Sequence, residues 1–429
     1  MKDILKTTFR DFHSRLPIPS ITPRDLGIPL QSDQIITIAG TRRCGKTFFF
    51  YSMINELIST GTDSSQILYF NFEDERFRFQ SGDLQIMLDA YFELYPGNID
   101  KKLYFFFDEI QEVQDWEKFI RRIKDTLNPY IFLTGSSSKM LSTEIASALR
   151  GRSITFNLYP FSFAEYCRHN DISTSDLEST RTRTYLAAFF QEYLIQGGFP
   201  ETINQPESIR LKILQSYFDV MIFRDIIERY QVSNHVALKM FIRQLTSTVS
   251  SEFSINKIYN DLKSNMIKVS KNQLYNFLSY TQDCFLFFVH QQFEYSPRKS
   301  LQNSKKIYFI DNGLLANISF SLNDNQGKLL ENLIFMELIR REKEIYFAKN
   351  GMECDFLIMG KNGIAQLIQV SYDLSNEQTL QREIKPLLRL SEKNPAAELM
   401  LISNYTEKTI EQNGKQIKVI PAWKWCLSK

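Results

Sequence analysis

Short apolar runs alternate with helical spacing along the first third of the chain. The runs cover residues 35–39, 67–72, 103–107 and 130–133, and are rich in β-branched or aromatic side chains. Runs of that length read as buried strands, while the stretches between them place apolar residues three and four apart, as helices do. Strands alternating with helices predict a mostly parallel sheet with helices on both faces.

The pattern then changes. Residues 166–235 read as helices, with Tyr, Phe and Leu at helical spacing. Residues 254–263 and 270–280 read as two short helices, with Ser270 as the N-cap of the second. On that second helix Leu274, Phe277 and Leu278 share one face, leaving Lys271, Asn272, Gln273 and Asn276 outward. Strand-like runs at 285–289 and 306–310, with a basic tip at 296–300, complete a winged-helix pattern. Beyond it, a helix at 327–342 and strands from Glu353 and Ile364 mix the two periods again. The predicted blocks are 1–165, 166–235 (a helical lid), 236–310 (winged-helix-like) and 311–429.

Composition adds bounds. At 429 residues, 43% hydrophobic and 23% charged, the chain is an ordinary globular one and not a disordered one. Its net charge of +2 argues against a surface built to be coated by polyanion. Residues 236–310, however, hold ten Lys or Arg and four Asp or Glu, a local excess of 10 − 4 = +6. No stretch reaches the roughly 18 uncharged apolar residues of a membrane span, and no apolar signal core opens the sequence. Cys44, Cys167, Cys284, Cys354 and Cys426 are too scattered for a disulfide framework or a zinc site. The expected setting is the cytoplasm.

The most specific chemistry is Gly40-Thr41-Arg42-Arg43-Cys44-Gly45-Lys46-Thr47, which fits G-x-x-x-x-G-K-[ST] between a strand and a helix. Its glycines let successive amides turn toward phosphate oxygens, and the helix start at Lys46 adds its positive end. Lys46 is expected to reach the β- and γ-phosphates, the Thr47 hydroxyl to bind Mg²⁺, and Phe48 to lie against the nucleotide. The run ending in Asp108-Glu109 supplies an acid for Mg²⁺ (Asp108) and a candidate base for the attacking water (Glu109). Thr134 and Ser136, at the end of the next run, are candidates for contact with the γ-phosphate or that water. Ser137 or Ser138 could equally cap a helix.

These motifs resemble the AAA+ and STAND-like P-loop ATPases of prokaryotes. The resemblance is narrowed by Leu149-Arg150-Gly151-Arg152, by Leu158 to Tyr166, by Gly197-Gly198-Phe199-Pro200-Glu201 and by Tyr308 to Leu314. It implies that ATP and Mg²⁺ are the cofactors, that Arg150 or Arg152 stabilises the γ-phosphate from within the chain or from a neighbour, and that Pro200 forms a rigid turn against the base. Arg224 on the lid is a further candidate nucleotide sensor. Lys and Arg at the basic tip, with Asn and Gln of the second helix, make DNA a candidate partner. A protein partner or a second copy of the chain is the alternative.

The C-terminal block is similar to the PD-(D/E)xK nuclease fold, with Glu331 and Asp355 retained. Gln369 stands where that fold has an acid, and Ser371 where it has a lysine. An amide is a weaker Mg²⁺ ligand than a carboxylate, and serine carries no positive charge. The resemblance therefore implies the fold without the nuclease. The expected fold class is α/β: a P-loop NTPase parallel sheet, a helical lid, a winged-helix domain and a C-terminal PD-(D/E)xK-like α/β domain.

Overall fold

The computed structural model describes residues 1–80, 82–136, 149, 151–294, 304–319, 325–349 and 353–428. Ser137, Ser138, Arg150 and the basic tip at 296–300 lie outside them. The chain forms two compact units, Met1–Tyr159 and Pro160–Lys429.

The first unit is built on five strands: β1 (Ile35–Ala39), β2 (Ile67–Asn71), β3 (Tyr104–Asp108), β4 (Tyr130–Gly135) and β5 (Ser153–Asn157). Their order is β2-β3-β4-β1-β5, and every pairing is parallel. All five residues of β1 and of β3 are buried, as strands covered on both faces must be. β5 was not legible, because Ser153-Ile-Thr-Phe-Asn157 is an edge strand with no fully buried position. Helix α1 (Lys2–Ser14) tucks Leu5, Phe9 and Phe12 under the sheet edge. Helices α2 (Lys46–Ser59), α3 (Leu84–Leu94) and α4 (Trp116–Thr126) fill the crossovers.

The second unit opens with helices α5 (Phe163–His169), α6 (Thr180–Gln196) and α7 (Glu207–Val220), a π-helical stretch Met221–Glu228, and α8 (His235–Ser247). Next come β6 (Ser251–Phe253), α9 (Ile255–Ser264), α10 (Lys271–Asp283), β7 (Phe287–Gln291) and β8 (Lys305–Phe309). The three strands form an antiparallel sheet, β6-β8-β7. Ser270 caps α10 and Gln273 reaches back to it, a full capping box.

The rest comprises α11 (Asn312–Ile318), α12 (Gln326–Arg340), β9 (Ile345–Ala348), β10 (Cys354–Gly360), β11 (Gly363–Ser371), α13 (Glu377–Lys393), β12 (Glu398–Ser403), β13 (Lys408–Gln412), β14 (Lys415–Pro421) and α14 (Ala422–Leu427). Its six strands form a mixed sheet in the order β13-β14-β12-β11-β10-β9.

Three motifs behind the family resemblance converge inside this unit as packing. Ser162 and Glu165 form the capping box of α5. Gly198 N–H donates to Asp311 Oδ2 at 2.7 Å, Leu314 N–H donates to Asp311 Oδ1 at 3.0 Å, and Phe161 N–H donates to Gly198 O at 2.7 Å. A Cβ on Gly313 would stand 1.9 Å from Gln196 O, and one on Gly198 2.2 Å from Phe161 O. These glycines are there because two backbones touch. Gly313→Ala must push main chain apart and is expected to cost about 2–3 kcal/mol. Urea unfolding of the whole chain checks this, and a midpoint equal to the parent's would reject the packing account.

Candidate functional site

Gly40 begins the loop after β1, and a Cβ there would meet Leu158 O at 2.2 Å. Only glycine lets the loop run beside the segment leaving β5, where Leu158 N–H donates to Ala39 O at 2.7 Å. Gly45 has φ 100° and Arg43 φ 65°, both left-handed, and together they curl the chain before α2 begins at Lys46. Arg24 braces the loop from outside, donating to Cys44 O at 3.0 Å and to Tyr159 O at 2.5 Å.

Lys46 is 5% exposed. Its ammonium donates to Gly40 O at 3.1 Å and Thr41 O at 3.3 Å, and pairs with Glu109 Oε1 at 3.2 Å. Thr47 Oγ1 donates to Asp108 Oδ2 at 2.7 Å, Tyr69 OH donates to the same oxygen at 3.2 Å, and the Thr134 hydroxyl donates to Asp108 Oδ1. Glu109 N–H donates to Thr134 Oγ1 at 3.0 Å. Glu109 itself has φ 53°, a left-handed conformation that a side chain beyond glycine holds only under constraint. The loop and the tip of β3 are thus one connected polar network.

The two neighbouring acids are pushed apart. Burial, then the charge of Glu109, raises the Asp108 carboxyl above its ordinary value. Burial is the largest influence on Glu109 and presses it upward, but Lys46, Gln111 and Arg42 together hold it below its ordinary value. For Lys46, burial works downward, and Glu109, Cys44 and Asp108 together hold the ammonium above its usual range. A carboxylate kept ionised beside a buried ammonium, next to a second acid that readily takes a proton, suits a site where phosphate charge and a cation arrive together.

Of the candidates, Gly40, Thr41, Arg42, Arg43, Cys44, Gly45, Lys46, Thr47, Asp108 and Glu109 are brought together, and Thr134 joins them. Arg42 pairs with Glu73 Oε1 at 2.8 Å. Phe48 is 56% exposed, one residue past Thr47. Ser136 follows Gly135, which pairs with Ala39, so it stands at the same sheet end as the loop.

Arg152 requires a correction. Its carbonyl accepts from Ile35 N–H at 2.8 Å and its side chain pairs with Asp125 on the surface. That is the start of the parallel strands, whereas the loop follows their ends, about 16 Å away over five residues. Arg152 cannot serve this chain's own loop. Pro200 belongs to the second unit, where it opens the turn Pro200–Thr202. Arg224 is exposed beside Phe223 on the π-helical stretch.

The sequence reading missed Tyr69 and Arg24, which looked like a strand aromatic and a loop charge. It also missed Lys306. Glu331 of α12 and Asp355 of β10 do come together, and the Lys306 ammonium lies between them, at 3.1 and 3.2 Å. Gln369 turns to Glu383 Oε2 at 2.9 Å, and Ser371 donates to Asp373 O. No described helix is long and apolar enough to cross a membrane.

Residues 32–167 match the family model described as an AAA domain, and residues 188–326 match a domain of unknown function, DUF8612. The uncharacterized protein MJ1544 of Methanocaldococcus jannaschii is 37% identical over 419 residues, covering 94% of this chain and 91% of that protein. An uncharacterized protein of Haemophilus influenzae is 29% identical over 393 residues, covering 91% and 94%. Among solved structures, the Aeropyrum pernix ORC1 protein in complex with DNA is similar at 12% identity and TM-score 0.28, covering 74% of this chain and 92% of that one. AMPPCP-bound DnaA from Aquifex aeolicus is similar at 11% and 0.24, covering 64% and 86%. At such scores the two likenesses carry nothing further.

The raised Asp108 gives a stability test. A group whose value is raised on folding contributes its full stability below the unfolded value, about 3.9, and loses it as pH climbs through the folded value. At neutral pH the ionised Asp108 therefore weighs against the fold. Asp108→Asn is expected to raise Tm by a few degrees at pH 7.5 and to lose that gain on acidification toward pH 4. A Tm that drops at pH 7.5 would contradict the assigned direction.

Proposed function

The chain belongs to the family of the archaeal protein MJ1544 and carries that family's P-loop AAA domain, and from this premise we propose that it is a Mg²⁺-dependent ATP-binding and hydrolysing switch. One observation carries the reading: the Lys46–Glu109 pair and the Thr47–Asp108 hydrogen bond close a complete phosphate loop onto two acids at the tip of β3.

The network is poised for exchange. Phosphate oxygens arriving at the loop offer Lys46 a stronger partner than two carbonyls, and draw the ammonium from Glu109. Glu109, already ionised, is then free to accept a proton from a water lined up on the γ-phosphate. Mg²⁺, when bound, would supply positive charge to the phosphates. Thr47 and Asp108 are the residues that would hold it, and Asp108 must shed any proton to do so. The ammonium that pairs with Glu109 is the same one the nucleotide phosphates would draw toward themselves. Ser136 is read as a γ-phosphate contact and Phe48 as a wall for the nucleoside. A charge of the kind first read at Arg152 has to come from elsewhere, a second copy of the chain included.

A second reading concerns residues 236–310. Two helices, a three-stranded sheet and an excess of basic residues support a winged-helix-like module. On α10, Lys271, Asn272, Gln273, Tyr275 and Asn276 are all exposed. That face fits a nucleic-acid groove, with lysine for phosphate and amides for base edges. The C-terminal block is read as PD-(D/E)xK-like and without nuclease activity, a platform for a protein partner.

Lys46→Ala is expected to abolish binding of a fluorescent ATP analogue, and Glu109→Gln to bind it but turn over at least about a hundredfold slower. Unchanged binding in the first variant, or unchanged turnover in the second, removes the assignment. For the second reading, fluorescence anisotropy with duplex DNA at 50 and 200 mM salt is expected to show affinity falling steeply with salt and falling again in Lys271→Ala. No binding at either salt retires it.

A further inference from the structure

The acid centre of the second unit already contains a cation. β8 alternates, so Lys306 and Tyr308 point to one side and Lys305, Ile307 and Phe309 to the other. Lys306 is 2% exposed. Its Nζ lies 2.7 Å from Glu353 Oε1, 3.1 Å from Glu331 Oε1 and 3.2 Å from Asp355 Oδ1. An ammonium has three donors, and here three carboxylates meet them. The Tyr308 hydroxyl donates to Glu331 Oε1 at 2.6 Å, filling more of that carboxylate's capacity. The Phe347 ring lies 5.6 Å from Nζ, and Tyr308 stacks on Phe335 at 3.9 Å, so the far side of the centre is apolar.

We propose that Lys306 is the built-in cation of this centre, standing where a divalent metal would, and that it clamps the helix-and-hairpin block at 236–310 to the C-terminal sheet as one body. The point at which Glu331, Glu353 and Asp355 converge is held by nitrogen at hydrogen-bonding distance. A divalent ion needs oxygens at about 2.0–2.6 Å around that same point. The neutral Gln369 is consistent with this. Its amide oxygen accepts from Asp355 N–H at 3.3 Å and its nitrogen donates to Glu383, so it braces the strand and offers nothing to a metal. Burial and the charge of Glu331 push Asp355 up to about 7, which further lowers the centre's demand for a second positive charge.

The clamp follows from which elements contribute. Lys306 comes from the three-stranded sheet, Glu331 from α12, and Glu353 and Asp355 from the start of β10. Other ties run alongside it. Gln292 bridges to Phe347, Phe293 N–H donates to Phe347 O at 2.7 Å, and Lys349 pairs with Glu252 Oε2 at 2.7 Å. The Lys349–Glu252 pair is exposed, whereas Lys306, Glu331 and Asp355 are largely enclosed and Glu353 closes the centre from its solvent side. The proposal stands independently of the nucleotide reading, because none of these residues belongs to the first unit.

The test uses the full chain and three measurements. Wild-type Tm is read with and without 1 mM MnCl₂, and no shift is expected; a Mn²⁺-dependent rise abolished by Asp355→Asn would mean that a metal, not Lys306, is the resident cation. Lys306→Met is expected to lower Tm by about 5–15 °C, because buried carboxylates lose their counter-charge. The triple variant Lys306→Met, Glu331→Gln, Asp355→Asn is expected to recover most of that loss. A triple variant as unstable as Lys306→Met, or unfolded, would show that packing and not charge holds the centre, and would overturn the proposal. Hydrogen exchange in Lys306→Met is expected to accelerate together in β7, β8 and β10 while β1–β4 keep their protection. Unchanged exchange in all three would remove the clamp.

Discussion

A lysine ammonium is costly to take out of water, and at two places in this chain it is met by carboxylates that other elements deliver. Lys46 and Lys306 are both buried, and each is answered by acids delivered from a neighbouring strand or helix. Removing an ion from water costs several kcal/mol, so neither contact is incidental. In the first unit the requirement joins the loop after β1 to the tip of β3. In the second it joins β8 to α12 and β10. The same constraint has built two centres, and their difference lies in how completely each lysine is satisfied.

Lys46 has one carboxylate and two loop carbonyls, and the carbonyls are weak partners for a full charge. Beside it Arg43 and Phe48 are exposed, so the loop opens outward. Such a lysine can change partners when a stronger anion arrives. Lys306 has three carboxylates within 3.2 Å and aromatic rings behind it. No entering anion improves on that arrangement, and no entering cation finds the place vacant. The first geometry leaves its lysine able to change partners and the second does not, although both are built from lysine and acid at similar distances.

What could be read from the sequence follows the same logic. The phosphate loop was legible because its spacing is dictated by a ligand of fixed size. β1 to β4 were legible because strands covered on both faces are apolar throughout. β5 was not, since an edge strand such as Ser153-Ile-Thr-Phe-Asn157 has no such requirement, and with it went the placement of Arg152. The resemblance put that arginine at the γ-phosphate, while parallel topology put it at the opposite end of the sheet. Lys306 escaped notice for a different reason. In the string Lys305-Lys306-Ile-Tyr the two lysines look alike, and only alternation decides that one is half-buried and the other enclosed.

The glycines make the last distinction. Gly40 and Gly45 leave a loop whose curl is held from outside by Arg24. Gly198 and Gly313 instead let two backbones touch, and beside them the Asp311 carboxylate lies where a Cβ on Gly197 would stand, accepting from the amides of Gly198 and Leu314. Both sets are equally conspicuous as motifs, since a Cβ is forbidden at each. The difference is what the freed space receives. Where the chain's own carboxylate occupies it, the motif records packing. At the loop the freed space lets the backbone run beside Leu158, and Lys46 donates to Gly40 O there, an ammonium that a phosphate group has the charge to draw to itself.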